Sequence, residues 1–277
     1  MMIIRKKTTI TLMFWLIFSI TSFGGVTANA GDRRISGSST VLPMIQAAAR
    51  VFEQETGIDF HVVGGGSGKG IRDTIAGESN IGMVSRALTA KEEGELTAFT
   101  LGYDGVAVVI HANNPVTQIS RQNIKAIFTG DAIDWSLFGG PVQKSIVLIS
   151  KEKGRSTREI FDNAFSINSL AESATLVGAN AEVLALVGIE PDAIGYASIG
   201  AIERAQNVGL KVKALPVDGI AATSENVKLR KFPVLRQLNL VVKKNHVEDK
   251  AVTQFIRFML SPRARDIILN KNYIPVE

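Results

Sequence analysis

The chain of 277 residues contains no cysteine, which excludes both a disulfide framework and a lipid-modified cysteine. Its formal net charge is +5, but no run of five like charges follows residue 30, so no nucleic-acid footprint is indicated. The length suits one large domain or two smaller ones.

The first thirty residues have the pattern of an export signal. A basic start at residues 5–7 precedes a short apolar run at 11–20, and Ala28-Asn29-Ala30 is an A-x-A cleavage pattern. The run is short for a membrane span, so a cleaved signal and a periplasmic protein are predicted, with an uncleaved anchor as the alternative. Cleavage after Ala30 would leave 247 residues, 28 of them basic and 26 acidic.

Strand and helix signals alternate along the rest of the chain. Apolar runs predict strands at 33–36, 59–63, 81–84, 106–110, 146–149, 194–197, 212–215 and 238–242. Helical spacing of apolar residues and a capping box at Thr89 predict helices at 41–55, 69–76, after 89, at 120–128, at 157–165 and around 252–259. This alternation indicates an α/β fold with largely parallel sheets.

Three turns rich in Gly, Ser and Thr lie where a predicted strand ends and a helix begins, at 36–40, 64–70 and 154–158. The first N–H groups of a helix lack intrahelical partners, and hydroxyl groups add further donors. Ligands of such sheets bind outside the carboxyl ends of the strands. The three turns therefore predict an oxyanion enclosed by several helix N-termini.

The second turn resembles a nucleotide-binding P-loop only superficially. That motif requires a glycine where Val63 stands and a hydroxyl residue where Gly70 stands, so ATP binding is not expected. Arg86 follows a predicted strand and offers planar donors suited to an oxyanion. Asp104 is either a turn residue beside Gly105 or an acceptor for the proton of hydrogen phosphate, which sulfate lacks.

Eight motifs resemble, in order and spacing, those of the phosphate-binding receptors of high-affinity phosphate ABC transporters. They are 35–41 with Pro43, 64–71, 81–86, 104–108, 127–130 with Trp135, 193–196, 216–226 and 273–275. The resemblance covers essentially the whole chain after residue 30. It implies a bilobal periplasmic-binding-protein fold of the second type, in which two α/β lobes joined by two crossover segments close on one anion.

Carried onto this sequence, the resemblance places lobe one at 31–105 and 226–277 and lobe two at 106–225, with crossovers near 104–113 and 218–236. It also implies delivery of the anion to a membrane permease, by a receptor that we expect to be monomeric. The positions that match its anion-binding motifs are Ser39, Thr40, Ser67, Gly68 and Arg86.

The third turn departs from the family pattern of an arginine followed by Gly-Ser-Gly-Thr-Arg. Here Lys151 replaces the upstream arginine, Arg155 the first serine and Ser156 the second glycine, while Thr157 is retained. Because a guanidinium can replace the lost donors, Arg155, Ser156 and Thr157 complete the predicted site together with Asp104.

Other functions stay open at this point. A receptor for sulfate or molybdate, or a phosphate sensor, would share the same binding features. A secreted phosphatase is less expected, because the three histidines show no metal-ligand spacing and no G-x-S-x-G elbow is present. No enzyme activity, metal or cofactor is therefore predicted.

Overall fold

The computed structural model describes residues 33–244 and 249–276, all within one compact unit, Asp32–Glu277. The predicted export signal lies outside the described residues. Among the helices of the described ranges, none is long and apolar enough to span a membrane.

The N-terminal part of this unit follows the predicted alternation closely. Its elements are β1 (Arg34–Gly37), α1 (Leu42–Thr56), β2 (His61–Gly64), α2 (Ser67–Ala76), β3 (Ile81–Val84) and α3 (Ala90–Glu95). Strand β1 lies between β2 and β3 and is parallel to both. Helix α3 begins at the predicted capping box, in which Thr89 and Glu92 each bond the other's backbone N–H.

Two long strands cross the middle of the sheet. Strand β4 (Leu96–His111) is antiparallel to β9 (Leu235–Lys243), and β9 is also antiparallel to β3. The prediction of largely parallel sheets is therefore wrong for the centre of the molecule. Strands β4 and β9 pair antiparallel with each other and with their neighbours, so the sheet is mixed. Its parallel pairs lie at its two ends.

The middle of the chain forms a second parallel set. Its elements are α4 (Arg121–Thr129), a 3-10 helix (Trp135–Phe138), β5 (Val147–Lys151), α5 (Ser156–Phe165), β6 (Thr175–Val177), α6 (Asn180–Ile189), β7 (Ala193–Ser198), α7 (Ile199–Asn207), β8 (Val212–Ala214) and α8 (Ser224–Lys228). Strand β5 is parallel to β6 and β7, and β7 is antiparallel to β4. The chain ends with α9 (Lys250–Met259), α10 (Pro262–Leu269) and β10 (Ile274–Pro275).

Two apolar cores lie on either side of the crossing strands. The first core combines side chains from 35–101 with others from 238–273, and the second core uses 106–234. Strand β4 leaves one core and enters the other between Leu101 and Val106, and β9 does so between Val234 and Leu238. The strand order β2-β1-β3-β9-β4-β7-β5-β6 thus places the crossing pair between the two parallel sets.

Candidate functional site

The second and third predicted turns touch each other, although one belongs to each parallel set. The N–H of Gly68 donates to the carbonyl of Gly154 at 3.2 Å. A Cβ at Gly66, where φ is +90°, would lie 2.8 Å from Arg155 Cδ. Only glycine combines that backbone angle with this close approach, so the glycine-rich turn allows the two parts of the site to meet.

Four buried serines link the two cores; we call Ser38, Ser67, Ser85 and Ser156 the serine cluster. The Oγ of Ser38 donates to Ser85 Oγ at 2.9 Å, and that of Ser67 donates to Ser156 Oγ at 2.9 Å. The Oγ atoms of Ser85 and Ser156 are 2.6 Å apart. Each residue is at most 3% exposed. Since hydroxyl groups both donate and accept, the cluster is a set of convergent groups that an oxyanion can engage.

The guanidinium of Arg236, on β9, lies beside this cluster with its side chain fully buried. Its Nε and Nη2 donate to Asp104 Oδ2 at 2.9 and 2.7 Å. Its Nη1 donates to Thr157 Oγ1 at 2.8 Å, and Nη2 also donates to Thr40 Oγ1 at 3.2 Å. Asp104 Oδ1 accepts from the N–H of Gly200 at 3.3 Å. Asp104 therefore orients Arg236, which joins one predicted turn from each part of the site.

Asn180, the first residue of α6, adds another donor at the same place. Its Nδ2 donates to Thr40 Oγ1 at 3.1 Å, while its Oδ1 accepts from the N–H of Ser198 at 3.4 Å. The side chain of Asn180 is thus fixed between the N-terminal start of α1 and the carboxyl end of β7.

Lys151 is the second buried cation, at the carboxyl end of β5. It is 1% exposed, and its Nζ has no hydrogen-bond partner among the described residues. Burial, together with the positive charges of Arg236 and Arg155, lowers the pKa of Lys151 to about 7, against the opposing effect of Glu182. A desolvated ammonium without a counter-charge is costly, so an anion beside Lys151 would stabilise its charged form.

The other predicted site residues occupy different surroundings. The Oγ of Ser39 makes no hydrogen bond to a described residue, and Ser39 is only partly buried. Arg86 donates to Glu92 at 2.7 and 2.9 Å and to Glu159 on α5 at 2.8 Å. The hydrogen bonds to Arg86 hold the pKa of Glu92 at about 2. Arg155 donates to Glu152 at 2.7 Å. Both guanidinium groups are paired with carboxylates, so a role of Arg86 or Arg155 as an anion ligand stays a prediction.

A metal centre has no support in the described ranges. No group of three His, Cys, Asp or Glu side chains within 33–244 and 249–276 is arranged to hold a metal ion. The donors that converge there are hydroxyl, guanidinium, amide and ammonium groups, which suit an oxyanion and not a cation.

Known proteins that resemble this chain also indicate a receptor for an oxyanion. Residues 25–263 match the PBP superfamily domain. A solved Clostridium perfringens protein, assigned as a phosphate ABC transporter substrate-binding protein and holding bound phosphate, is 32% identical with a TM-score of 0.82, over 89% of this chain and 100% of that one. The chain belongs to this family of substrate-binding proteins.

Further relatives support the family membership. An ABC-type phosphate transport receptor from Vibrio cholerae is 29% identical with a TM-score of 0.72, over 88% of this chain and all of that one. The phosphate-binding protein PstS of Borreliella burgdorferi is 27% identical over 98% of this chain and 99% of its own length. The predicted resemblance and fold are thereby confirmed, and the family is one of transport receptors and not of enzymes.

Arg236, Lys151, Asn180 and the serines Ser38 and Ser85 are not among the residues that the sequence predicts for the site. Arg236 lies outside the strand predicted at 238–242, so no local sequence pattern marks it as a site residue. The same holds for Asn180, since its position beside Thr40 arises from a contact between residues 140 positions apart.

Proposed function

We propose that this receptor captures inorganic phosphate between its two cores and delivers it to the membrane permease of an ABC transporter. The observation that carries the proposal is the burial of two cations: Arg236, which donates to hydroxyl groups from both cores, and Lys151, whose Nζ has no described partner. Relatives named for phosphate binding or phosphate transport, one of them with phosphate bound, support the choice of anion.

The charge balance of the site leaves one buried positive charge for an anion to neutralise. Asp104 already neutralises Arg236, while Lys151 has no described partner. Bound phosphate would supply the missing counter-charge and accept hydrogen bonds from the serine cluster, Thr40 and Thr157. The proton of hydrogen phosphate needs an acceptor. Both oxygens of Asp104 already accept hydrogen bonds. The proposed acceptor of this proton is therefore either Asp104 or a hydroxyl oxygen of the serine cluster.

We also propose that the two cores belong to two lobes, predicted at 31–105 with 226–277 and at 106–225, which close on the anion. Because Val227, Phe232 and Val234 pack in the second core, this proposal moves the second boundary to between Val234 and Leu238. The crossing of β4 and β9 from one core to the other supports hinges near the predicted crossovers. Contacts of Thr40 with Asn180, Ser67 with Ser156 and Arg86 with Glu159 join the two cores. An anion that bridges the same groups would favour the closed arrangement.

The transport role places the receptor outside the cytoplasm, with a permease as its partner. Our finer proposal is a monomeric periplasmic protein that is released by cleavage after Ala30. N-terminal sequencing of protein from the periplasmic fraction would test the cleavage site, and residues upstream of Gly31 in the exported protein would contradict it.

Titration calorimetry on the purified protein without its first thirty residues tests the proposed ligand. We expect one phosphate per chain, with sulfate and molybdate binding at least about a hundredfold more weakly because they lack the proton that the site accepts. Tight binding of sulfate or molybdate without heat from phosphate would instead assign the receptor to another oxyanion.

A further inference from the structure

A second concave region lies beside the crossing strands, distinct from the serine cluster. This hinge groove has a volume of about 970 Å³, and its walls come from both sides of the hinge, including Tyr103 on β4, Leu235 on β9, α8 and α10. The volume is at the upper end of the range for organic ligands and far exceeds what one tetrahedral anion fills. Inorganic phosphate therefore does not account for the groove.

The charged residues that line the hinge groove are all cationic. Five cationic residues line it, and no acidic residue does so within the described ranges. Asp104 neutralises Arg236, and Glu92 and Glu159 neutralise Arg86. The remaining three, Lys228, Arg230 and Arg265, have no carboxylate partner among the described residues. The groove therefore combines apolar walls with a surplus of positive charge.

The backbone conformation of Arg230 is a second observation that indicates a ligand-binding site. Helix α8 ends just before Arg230, whose φ is +54°, the left-handed conformation that glycine adopts most easily at this position of a helix end. This conformation places the Arg230 guanidinium 5.6 Å from the centre of the Tyr103 ring in the groove. A non-glycine residue in this region is disfavoured locally, and such positions cluster at ligand-binding sites.

We propose that the hinge groove binds an organic anion that carries an apolar group, such as an aromatic or acyl carboxylate, sulfonate or phosphate monoester. The apolar part would pack against Tyr103, Leu235 and Leu269, of which the two leucines are 36% and 48% exposed. The anionic group would pair with Arg230 and Arg265. Because the groove takes its walls from both sides of the hinge, its occupant would bind according to the relative position of the two cores.

Fluorescence titration with anilinonaphthalene sulfonate tests this site, with the neutral N-phenylnaphthylamine as the matched probe. We expect one sulfonate per chain, bound at least as tightly with saturating phosphate as without it, because phosphate favours the arrangement of the two cores that forms the groove. Arg230→Gly suits the backbone conformation and removes the guanidinium together with its methylene stem. This change and Arg265→Ala should each weaken sulfonate binding about threefold to fivefold, and together about tenfold, while binding of the neutral probe stays the same.

Arg257→Ala is the control, since Arg257 is an exposed arginine on α9 outside the groove. It should leave sulfonate affinity unchanged. Absence of sulfonate binding, displacement by phosphate, equal loss in the control, or equal effects on both probes would each overturn the proposal. Phosphate binding is measured separately in the same variants, so failure of the groove proposal is distinguishable from failure of the proposed transport function.

Discussion

Two cationic regions near the predicted turns differ in how their charges are balanced. The outer arginines, Arg86 and Arg155, donate to three carboxylates, Glu92, Glu159 and Glu152. In the inner pair, Arg236 is bound to the single carboxylate of Asp104, whereas Lys151 Nζ has no described partner. An arginine in an anion-binding motif whose charge is already neutralised by carboxylates is therefore a weaker candidate ligand. The cation that still needs a counter-charge is the stronger candidate.

Removing the inner guanidinium should have the largest effect. Arg236→Met leaves the buried carboxylate of Asp104 without its partner, which should lower the free energy of unfolding by about 3–5 kcal/mol. Arg263→Met is the matched control because Arg263 pairs with Glu55 at an exposed site, where the loss should be about 0–1 kcal/mol. Urea denaturation of both variants measures the difference. Equal losses would show that the Arg236 pair is no more important than a surface pair.

Lys151→Met should separate binding from stability. We expect phosphate affinity to fall by about 1.5–3 kcal/mol, the range for hydrogen bonds to charged groups. Stability without ligand should be unchanged or higher, because the variant removes a buried charge. Lys153→Met, which changes an exposed lysine two residues away, should leave phosphate affinity unchanged. Calorimetric titration gives both affinities, and unchanged binding in Lys151→Met would remove this lysine from the site.

The outer arginines should show the smallest effects. Arg155→Ala and Arg86→Ala should each weaken phosphate binding by less than about 1 kcal/mol, because their guanidinium groups already pair with carboxylates at partly exposed sites. The same calorimetric titration measures them against Lys151→Met. A loss in either variant as large as that in Lys151→Met would reverse the comparison and restore that arginine as a principal ligand.

Much of the fold was predictable because its local signals agree with its tertiary structure. Strand β3 and the capping box of α3 appear where the sequence predicts them. The first half of β4 was missed because residues 96–105 lack the continuous apolar run of 106–110. Helix α6 was also missed, since apolar residues occur on its exposed side as well, with Ile189 76% exposed.

The site was predictable only in part. Thr40, Ser67, Ser156 and Thr157 lie in turns whose composition indicates anion binding, and the structure brings all four to one place. The pairing of Asp104 with Arg236 joins residues 132 positions apart, so no local pattern reveals it. Likewise, the sequence marks Lys151 as a replacement for an arginine, but its burial without a partner is a property of the folded chain.

The pKa of Lys151 gives the most direct test of the proposal that phosphate binds beside this buried ammonium. Carbon-13 NMR of labelled lysine side chains, assigned with Lys151→Met, should show a midpoint of about 7 without ligand. Bound phosphate favours the charged form, so the midpoint should rise by about one to three pH units. Above pH 7, binding would then take up a proton, and phosphate affinity should fall as the pH rises. An identical midpoint with and without saturating phosphate would contradict the account.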